Sequence, residues 1–224
     1  SIDIVEAEAA PGVIAVLTGA DAKQDEIGGI TPNYLPQMMG LSDGYRTEQP
    51  IIVQDRIRFI GERIALVIAE TEAQARDATA LVTATFDMRD AVTTAAAAIA
   101  GGAPLVHDGA VNNIATDIHF GDEAASTKAF EQAAHIVEVN LRQNRLACVS
   151  LETRGTIGDY NEADDRYILY TSGQGPHMTR SSVAQNVLKI PESRLRVISK
   201  DVGGGFGMKG ATYPEDALVL WASK

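Results

Sequence analysis

The densest run of chemically useful positions is residues 201–210, DVGGGFGMKG, with five glycines in ten residues. Consecutive residues without Cβ let backbone N–H groups approach a ligand closely and act as preorganised donors to an oxygen. Gly205, Gly207 and Gly210 also satisfy the count G-x-G-x-x-G, the mark of a dinucleotide-binding turn. That match is weak. The fingerprint opens a helix within its glycines and needs an acidic residue about 20 positions onward after a second strand. Here Ala211, Thr212 and Tyr213 come before the first helix signal, Pro214, and the sequence runs only to Lys224. A phosphate-cradling loop requires adjacent Gly-Lys and then Ser or Thr, whereas Met208 separates Gly207 from Lys209 and Gly210 follows. Lys209 therefore has two readings, one reaching an anionic cofactor phosphate and one facing solvent. A glycine-rich turn that merely permits tight packing is the alternative for the whole loop.

The other reactive residue types are scattered. Gln174, in TSGQGPH, reads as a surface turn when taken alone. His177 is expected to be a loop histidine bonding the backbone. His107, His119 and His135 have no H-x-x-x-H spacing and no cysteine partner, so no zinc site is expected. Cys148, the single cysteine, sits in RLACVS and reads as a small buried hydrophobe that cannot form an internal disulfide. Glu162, Asp164 and Asp165 form an acidic run expected to be solvated in a turn, and Ser181 and Ser182 lack a nucleophile elbow and fit the polar face of a helix.

These residues need a scaffold, and the pattern around them alternates strand and helix. VIAVLTG reads as a strand; QDRIRFIGERIALVIAE reads as a strand pair, IRF and the buried IALVIA, broken by Gly61. ETEAQARDATALV suits a helix with Ala75, Ala78, Leu81 and Val82 on one side, and VTATFDM returns as a strand. Between Gly28 and Arg46 two prolines, several glycines and no period mark a long loop. Further on, EAASTKAFEQAAHI sets Ala125, Ala129, Phe130, Ala133 and Ala134 along a helical stripe, and HIVEVNLRQ and RLACVSLE read as extended. TIGDY and YILYTS flank the polar turn NEADDR as a hairpin. TRSSVAQNVL gathers Val183, Ala184, Val187 and Leu188 on a helix. RLRVIS is a strand, and YPEDALVLWAS a helix with Pro214 at its first position and Glu215 and Asp216 in its first turn.

At 224 residues, one large or two modest domains are expected, with a boundary near Asp108, where Gly101-Gly102, Pro104 and Asn112-Asn113 interrupt regular structure. Of the net charge of −11, residues 1–108 carry −9, from 7 basic and 16 acidic residues. An acidic first half argues against nucleic acid or an anionic membrane as partner. With no signal peptide and no apolar run near ~18 residues, a cytoplasmic setting is expected.

DVGGGFGMKG followed by PEDALVLWA resembles the glycine motif of the molybdenum-binding large subunits of the xanthine dehydrogenase, aldehyde oxidase and carbon monoxide dehydrogenase family. FIGERIALVIAETEAQARDATALVTATFD is similar to that family's hammerhead-like α/β domain. LETRGTIGDYNEADDRYILYTSGQGPH and TRSSVAQNVLKIPESRLRVISKDVGGGFG are similar to the opening of its molybdopterin-binding domain. The resemblance implies an α+β (mixed α/β) fold: hammerhead-like domain over 1–108, first part of a molybdopterin-binding domain over 109–224. It implies that Gln174 gives its side-chain amide to an oxygen ligand of molybdenum and that Phe206 and Gly207, with Gly204 and Gly205, form the backbone cradle. No residue is expected to ligate the metal directly, because a pterin dithiolene carries it. The implied cofactor is molybdopterin or its cytosine dinucleotide, with iron–sulfur and FAD on partner domains or subunits. The implied reaction is oxidation or hydroxylation of a small molecule (carbon monoxide, aldehyde or N-heterocycle) with water-derived oxygen. Purine-oxidising members carry a glutamate after the motif's Gly-Lys, where this chain has Gly210, which places it nearer the carbon monoxide and aldehyde dehydrogenase-like branch. The active-site loop and a glutamate base lie further along in such subunits, so this chain is expected to be a fragment that is inactive alone and partnered by the rest of the large subunit. A nucleotide-binding domain on Gly205, Gly207 and Gly210, or a non-catalytic assembly module, are the competing readings.

Overall fold

A computed structural model of the chain describes residues 1–32 and 44–224. The fold is mixed α and β, as the pattern implies. In the first half, strand β1 (Ile2–Asp3) and helix α1 (Val5–Glu8) lead into strand β2 (Val13–Thr18). Thr18 ends that strand and starts helix α2 (Gly19–Gln24): its Oγ1 accepts from Ala20 N–H at 3.3 Å, while Asp21 Oδ2 accepts from Thr18 N–H at 2.7 Å. This reciprocal cap satisfies donors that a helix start leaves free. Short β3 (Gly29–Ile30) pairs with β4 (Gln49–Pro50); most of the long loop expected between them lies outside the described residues. Strand β5 (Ala65–Ala69) pairs antiparallel with β2, Thr18 opposite Ala65. Helix α3 (Glu72–Thr79), capped by Thr71, buries Ala78, and β6 (Thr83–Ala84) pairs with β1.

Two expectations fail here for local reasons. IRF is not a strand paired with IALVIA: the Glu62 carboxylate accepts from the N–H groups of Arg58 and Phe59, and Gly61 at φ 99° turns the chain. Donors consumed by a side chain cannot serve a ladder, and β5 takes β2 instead. VTATFDM pairs only over β6, leaving Phe86 and Met88 exposed, and Leu81 lies past the end of α3.

In the second half, β7 (Thr156–Asn161) and β8 (Arg166–Thr171) form the expected hairpin, Thr156 opposite Thr171, turned by Asp165 at φ 49°. The next strand, β9 (Leu195–Ile198), lies parallel to β8, so the chain between must cross over. It does so through Pro176–Ser181, an α-helical turn that continues as a π-helix over Ser182–Val187 and presents Val183, Ala184 and Val187 inward. The last helix, Pro214–Ser223, lies on β7 so closely that a Cβ on Gly158 would stand 2.5 Å from the Val219 carbonyl oxygen.

One buried cluster joins both halves: Ala22, Ile30, Ile51 and Ile52 pack with Leu169, Val183, Leu220 and Trp221. Trp221 Nε1 donates to Asp25 Oδ2 at 2.8 Å, and Arg63 pairs with Glu215 at 2.6 Å. The stretch before β7 is different. Helix Glu123–Glu131 forms, capped by Asp122, but the stripe expected on it covers nothing and Phe130 is exposed. Residues 135–149 are exposed and carry no strand ladder. Cys148, expected to be buried, is exposed with them, because the strand that was to bury it has no partner among the described residues. None of the described helices is long and apolar enough to cross a membrane.

Candidate functional site

Two loops at the C-terminal ends of β8 and β9 meet. Ser199 Oγ donates to the Gly173 carbonyl at 2.7 Å, and Gln174 N–H donates to the Lys209 carbonyl at 2.9 Å. Parallel neighbouring strands place such loops side by side, where open α/β sheets bind ligands. The glycine loop is a chain of tight turns: Gly204 N–H to Val202 O at 2.9 Å, Met208 N–H to Gly205 O at 2.9 Å, Gly210 N–H to Gly207 O at 3.1 Å. Gly204 and Gly207 take φ of 96° and 82°, and Phe206 is held at 50°, a region that costs a residue with a Cβ about 1–2 kcal/mol. Its ring is exposed.

Gln174 and Gly205 are in contact. A Cβ on Gly205 would fall 2.4 Å from Gln174 Cδ and Oε1, so the amide side chain lies against bare backbone that only glycine offers. Among the described residues, the N–H groups of Gly205, Phe206 and Gly207 and the Gln174 side-chain amide have no hydrogen-bond partner. Gln174 thus lies against Gly205, at the head of three successive N–H groups, 205 to 207, that are unused among the described residues, while the Gly204 N–H is taken by the Val202 carbonyl.

Lys209 fits neither sequence reading. It is 2% exposed, and its ammonium donates to Glu152 Oε2 at 2.7 Å. The same carboxylate oxygen accepts from Gly203 N–H at 2.8 Å, and Glu152 N–H donates to the Gly203 carbonyl at 3.1 Å. These bonds, Lys209's first and Gly203's second, hold the Glu152 carboxyl below the usual glutamate range. Glu152 escaped sequence reasoning; the available signal was that a buried lysine must be matched by a carboxylate, and LETRG supplies one just before β7.

Beside the loop lies a cleft of about 230 Å³ lined by Arg154, Thr171, Lys209, Tyr213, Glu215 and Asp216. The Arg154 guanidinium stacks 3.6 Å over the Tyr213 ring. Asp216 accepts from Tyr213 N–H and Thr171 Oγ1, each at 3.1 Å, and burial pushes its carboxyl above the ordinary aspartate value. The helix that follows the glycines begins at Pro214 rather than among them.

The remaining candidates lie elsewhere. His177 is exposed on the first turn of the Pro176–Ser181 helix, not in a loop. His107 rests against Tyr45, centroids 5.8 Å apart, where burial and then Arg58 hold its imidazole below the usual histidine value. His119 and His135 are exposed. Ser181 Oγ donates to Glu192 at 2.8 Å. Asp165, in the acidic turn, is paired with Arg194 and accepts from Tyr160 rather than being only solvated. Among the described residues no three His, Cys, Asp or Glu side chains are placed to hold a metal ion.

Residues 106–224 match the molybdopterin cofactor-binding domain family, and residues 1–90 the aldehyde oxidase and xanthine dehydrogenase a/b hammerhead domain. The nicotine 6-hydroxylase large subunit of Paenarthrobacter nicotinovorans is 35% identical over the whole of this chain and 26% of its own length. The carbon monoxide dehydrogenase large chain of Hydrogenophaga pseudoflava is 28% identical over 96% of this chain and 27% of its own. Quinoline 2-oxidoreductase from Pseudomonas putida 86 superposes with a TM-score of 0.84 at 32% identity, covering all of this chain and 27% of that one. The chain spans about a quarter of the length of the curated relatives it matches. With a hammerhead domain followed by a molybdopterin cofactor-binding domain, the chain belongs to the molybdenum hydroxylase large-subunit family.

Proposed function

We propose that the protein carrying this chain oxidises or hydroxylates a small molecule at a molybdenum–pterin group, and that residues 174 and 204–207 form part of that group's seat. The observation that carries this reading is the Gln174 amide lying against Gly205, at the head of three consecutive N–H groups without a partner among the described residues. Fixed, unpaired donors suit the oxygen-rich face of such a group, so the residues present fit it. Molybdenum held by a pterin dithiolene supplies two-electron oxidation with oxygen drawn from water. Gln174 would contribute an amide donor, and Gly205, Phe206 and Gly207 backbone donors. None of these side chains is placed to abstract a proton, and we assign that role to a glutamate outside this chain, so the chain alone does not turn over.

Carbon monoxide, an aldehyde or an N-heterocycle is the substrate class; Gly210, in place of a carboxylate beside Lys209, argues against purines. Electrons leave through iron–sulfur and flavin partners in a cytoplasmic complex. We take the domain division to be 1–108 and 109–224, a reading the family matches over 1–90 and 106–224 support. Metal and pterin analysis of the purified protein with its partner subunits tests the reading. Gly205→Val drives a side chain into Gln174 and is expected to lower retained molybdenum roughly tenfold or more. Wild-type protein without molybdenum and pterin, binding NAD or FAD instead, overturns it.

A further inference from the structure

The glycine loop joins the end of β9 to the start of the last helix, and its own short turn bonds leave three residues at positive φ, Gly204, Phe206 and Gly207. Two of its residues are tied by a single oxygen atom. Glu152 Oε2 accepts from Gly203 N–H at 2.8 Å at the start of the loop and from Lys209 Nζ at 2.7 Å at its end. Glu152 N–H returns a bond to the Gly203 carbonyl at 3.1 Å, which fixes the first contact in two directions. The Lys209 carbonyl, in turn, accepts from Gln174 N–H at 2.9 Å. One carboxylate therefore connects the beginning of the loop, its end and the strand-end turn that bears Gln174.

The surroundings leave this contact little freedom. A Cβ on Gly203 would lie 2.6 Å from Glu152 Cβ, and one on Gly204 would lie 3.1 Å from Ser150 Cβ, so both glycines are needed for the loop to come so close. Ser150, itself buried, donates its hydroxyl to the Glu152 carbonyl at 2.7 Å and fixes the backbone that carries the carboxylate. The Lys209 side chain is 1% exposed. An ammonium taken out of water is tolerated only beside a counter-charge, so Lys209 keeps its inward conformation only while Glu152 is ionised and in place.

We propose that Glu152 is a positioning residue of the molybdenum site: paired with Lys209, it clamps both ends of the glycine loop and so sets the N–H groups of residues 205–207 against Gln174. This rests on the reading of that loop as the cofactor seat. Glu152 does not itself present a donor to the cofactor; it acts through Gly203 and Lys209.

The experiment compares wild type, Glu152→Gln, Lys209→Met and the double variant, each made in the protein with its partner subunits and in the chain alone. Glutamine keeps an acceptor for Gly203 N–H but strands the Lys209 charge; methionine keeps the length of Lys209 but strands Glu152; the double variant is neutral again. In the assembled protein, each single variant is expected to lose roughly tenfold in molybdenum retained or in kcat, with KM held within about twofold, as for residues that orient a metal's own contacts. The double variant is expected to recover most of the loss, a non-additivity that coupled partners show. In the chain alone, hydrogen exchange of the amides in 203–209 is expected to quicken about tenfold in each single variant and to return towards wild type in the double. Should a single variant fail to fold, folding of the double variant itself reports the coupling. Additive losses, or exchange in 203–209 unchanged by Glu152→Gln, overturn the clamp. Wild-type protein that holds no molybdenum but shows the exchange pattern keeps the clamp and removes the functional reading, so the two failures are distinguishable.

Discussion

Residues 156–171 and residues 135–151 carry the same kind of sequence and end differently. Both carry strand-like patterns rich in apolar residues, TIGDYN and the apolar run of RYILYT in the first, the alternating IVEVNLR in the second. In the first, alternation becomes a hairpin whose Tyr167 and Leu169 are buried under the final helix and the π-helical turn. In the second, Val137, Val139, Leu141 and Leu146 are exposed and belong to no ladder among the described residues. A period of two states which residues share a face; it does not supply the strand that pairs with the backbone or the layer that covers that face. Strand β8 has both, since a short turn delivers β7 to one edge and a helical crossover delivers β9 to the other.

The sharpest way to break this comparison is to remove the same kind of side chain from each stretch. Leu169 is 0% exposed at the centre of the three-stranded sheet. Leu169→Ala is expected to cost about 3 kcal/mol, through lost burial and the cavity left behind, read from the chemical denaturation midpoint of the chain. A cost below about 1 kcal/mol would mean that β8 is no better packed than residues 135–151, and the contrast would dissolve.

A smaller effect concerns a carboxylate kept dry in the packed region. Burial raises the Asp216 carboxyl above its ordinary value, so the folded chain retains a proton that the unfolded chain has already released. Between those two values stability must fall as pH rises. Glu152 runs the other way: its lowered value adds stability above the ordinary glutamate range, which is lost as pH falls through the lowered one. In Asp216→Asn the fall with rising pH should disappear. The variant should be weaker by about 1 kcal/mol at low pH, because the hydroxyl oxygen of the protonated carboxyl can still accept from the second of the two donors, Tyr213 N–H and Thr171 Oγ1, whereas an amide NH2 cannot. Unfolding free energies measured at a series of acidic to neutral pH values check this; an unchanged slope would place the proton elsewhere.

The sequence disclosed those elements whose local rules and partners agree. VIAVLT, TIGDYN, RYILYT and PEDALVLWAS could be read because alternation, turn residues or a proline at a helix start coincide with burial in the fold. IRF could not, because a carboxylate four residues on takes its donors. Cys148 could not, because its apolar neighbours gave no hint that cover was missing. At the site, Gln174 and the glycines were legible through motif resemblance, and their contact follows from parallel strands that no local pattern specifies. Glu152 stayed hidden since its meaning depends on Lys209, 57 positions away, turning inward.

The smallest expected effect is the one that sharpens the comparison most. Leu141 is 85% exposed, so Leu141→Ser removes almost no buried surface and should change the unfolding free energy by no more than about 0.5 kcal/mol. Its consequence belongs to association. Val137, Val139 and Leu141 are exposed on backbone that joins no ladder among the described residues, and an apolar segment of that kind can template pairing with another copy. Leu141→Ser is therefore expected to leave the melting curve in place while raising the concentration at which light scattering first grows. The equivalent serine at Leu169 should do the reverse, lowering the melting curve and promoting aggregation through the unfolded chain. If Leu141→Ser instead destabilises the monomer by a kilocalorie or more, residues 135–151 are packed in solution, and the difference between the two stretches is one of degree.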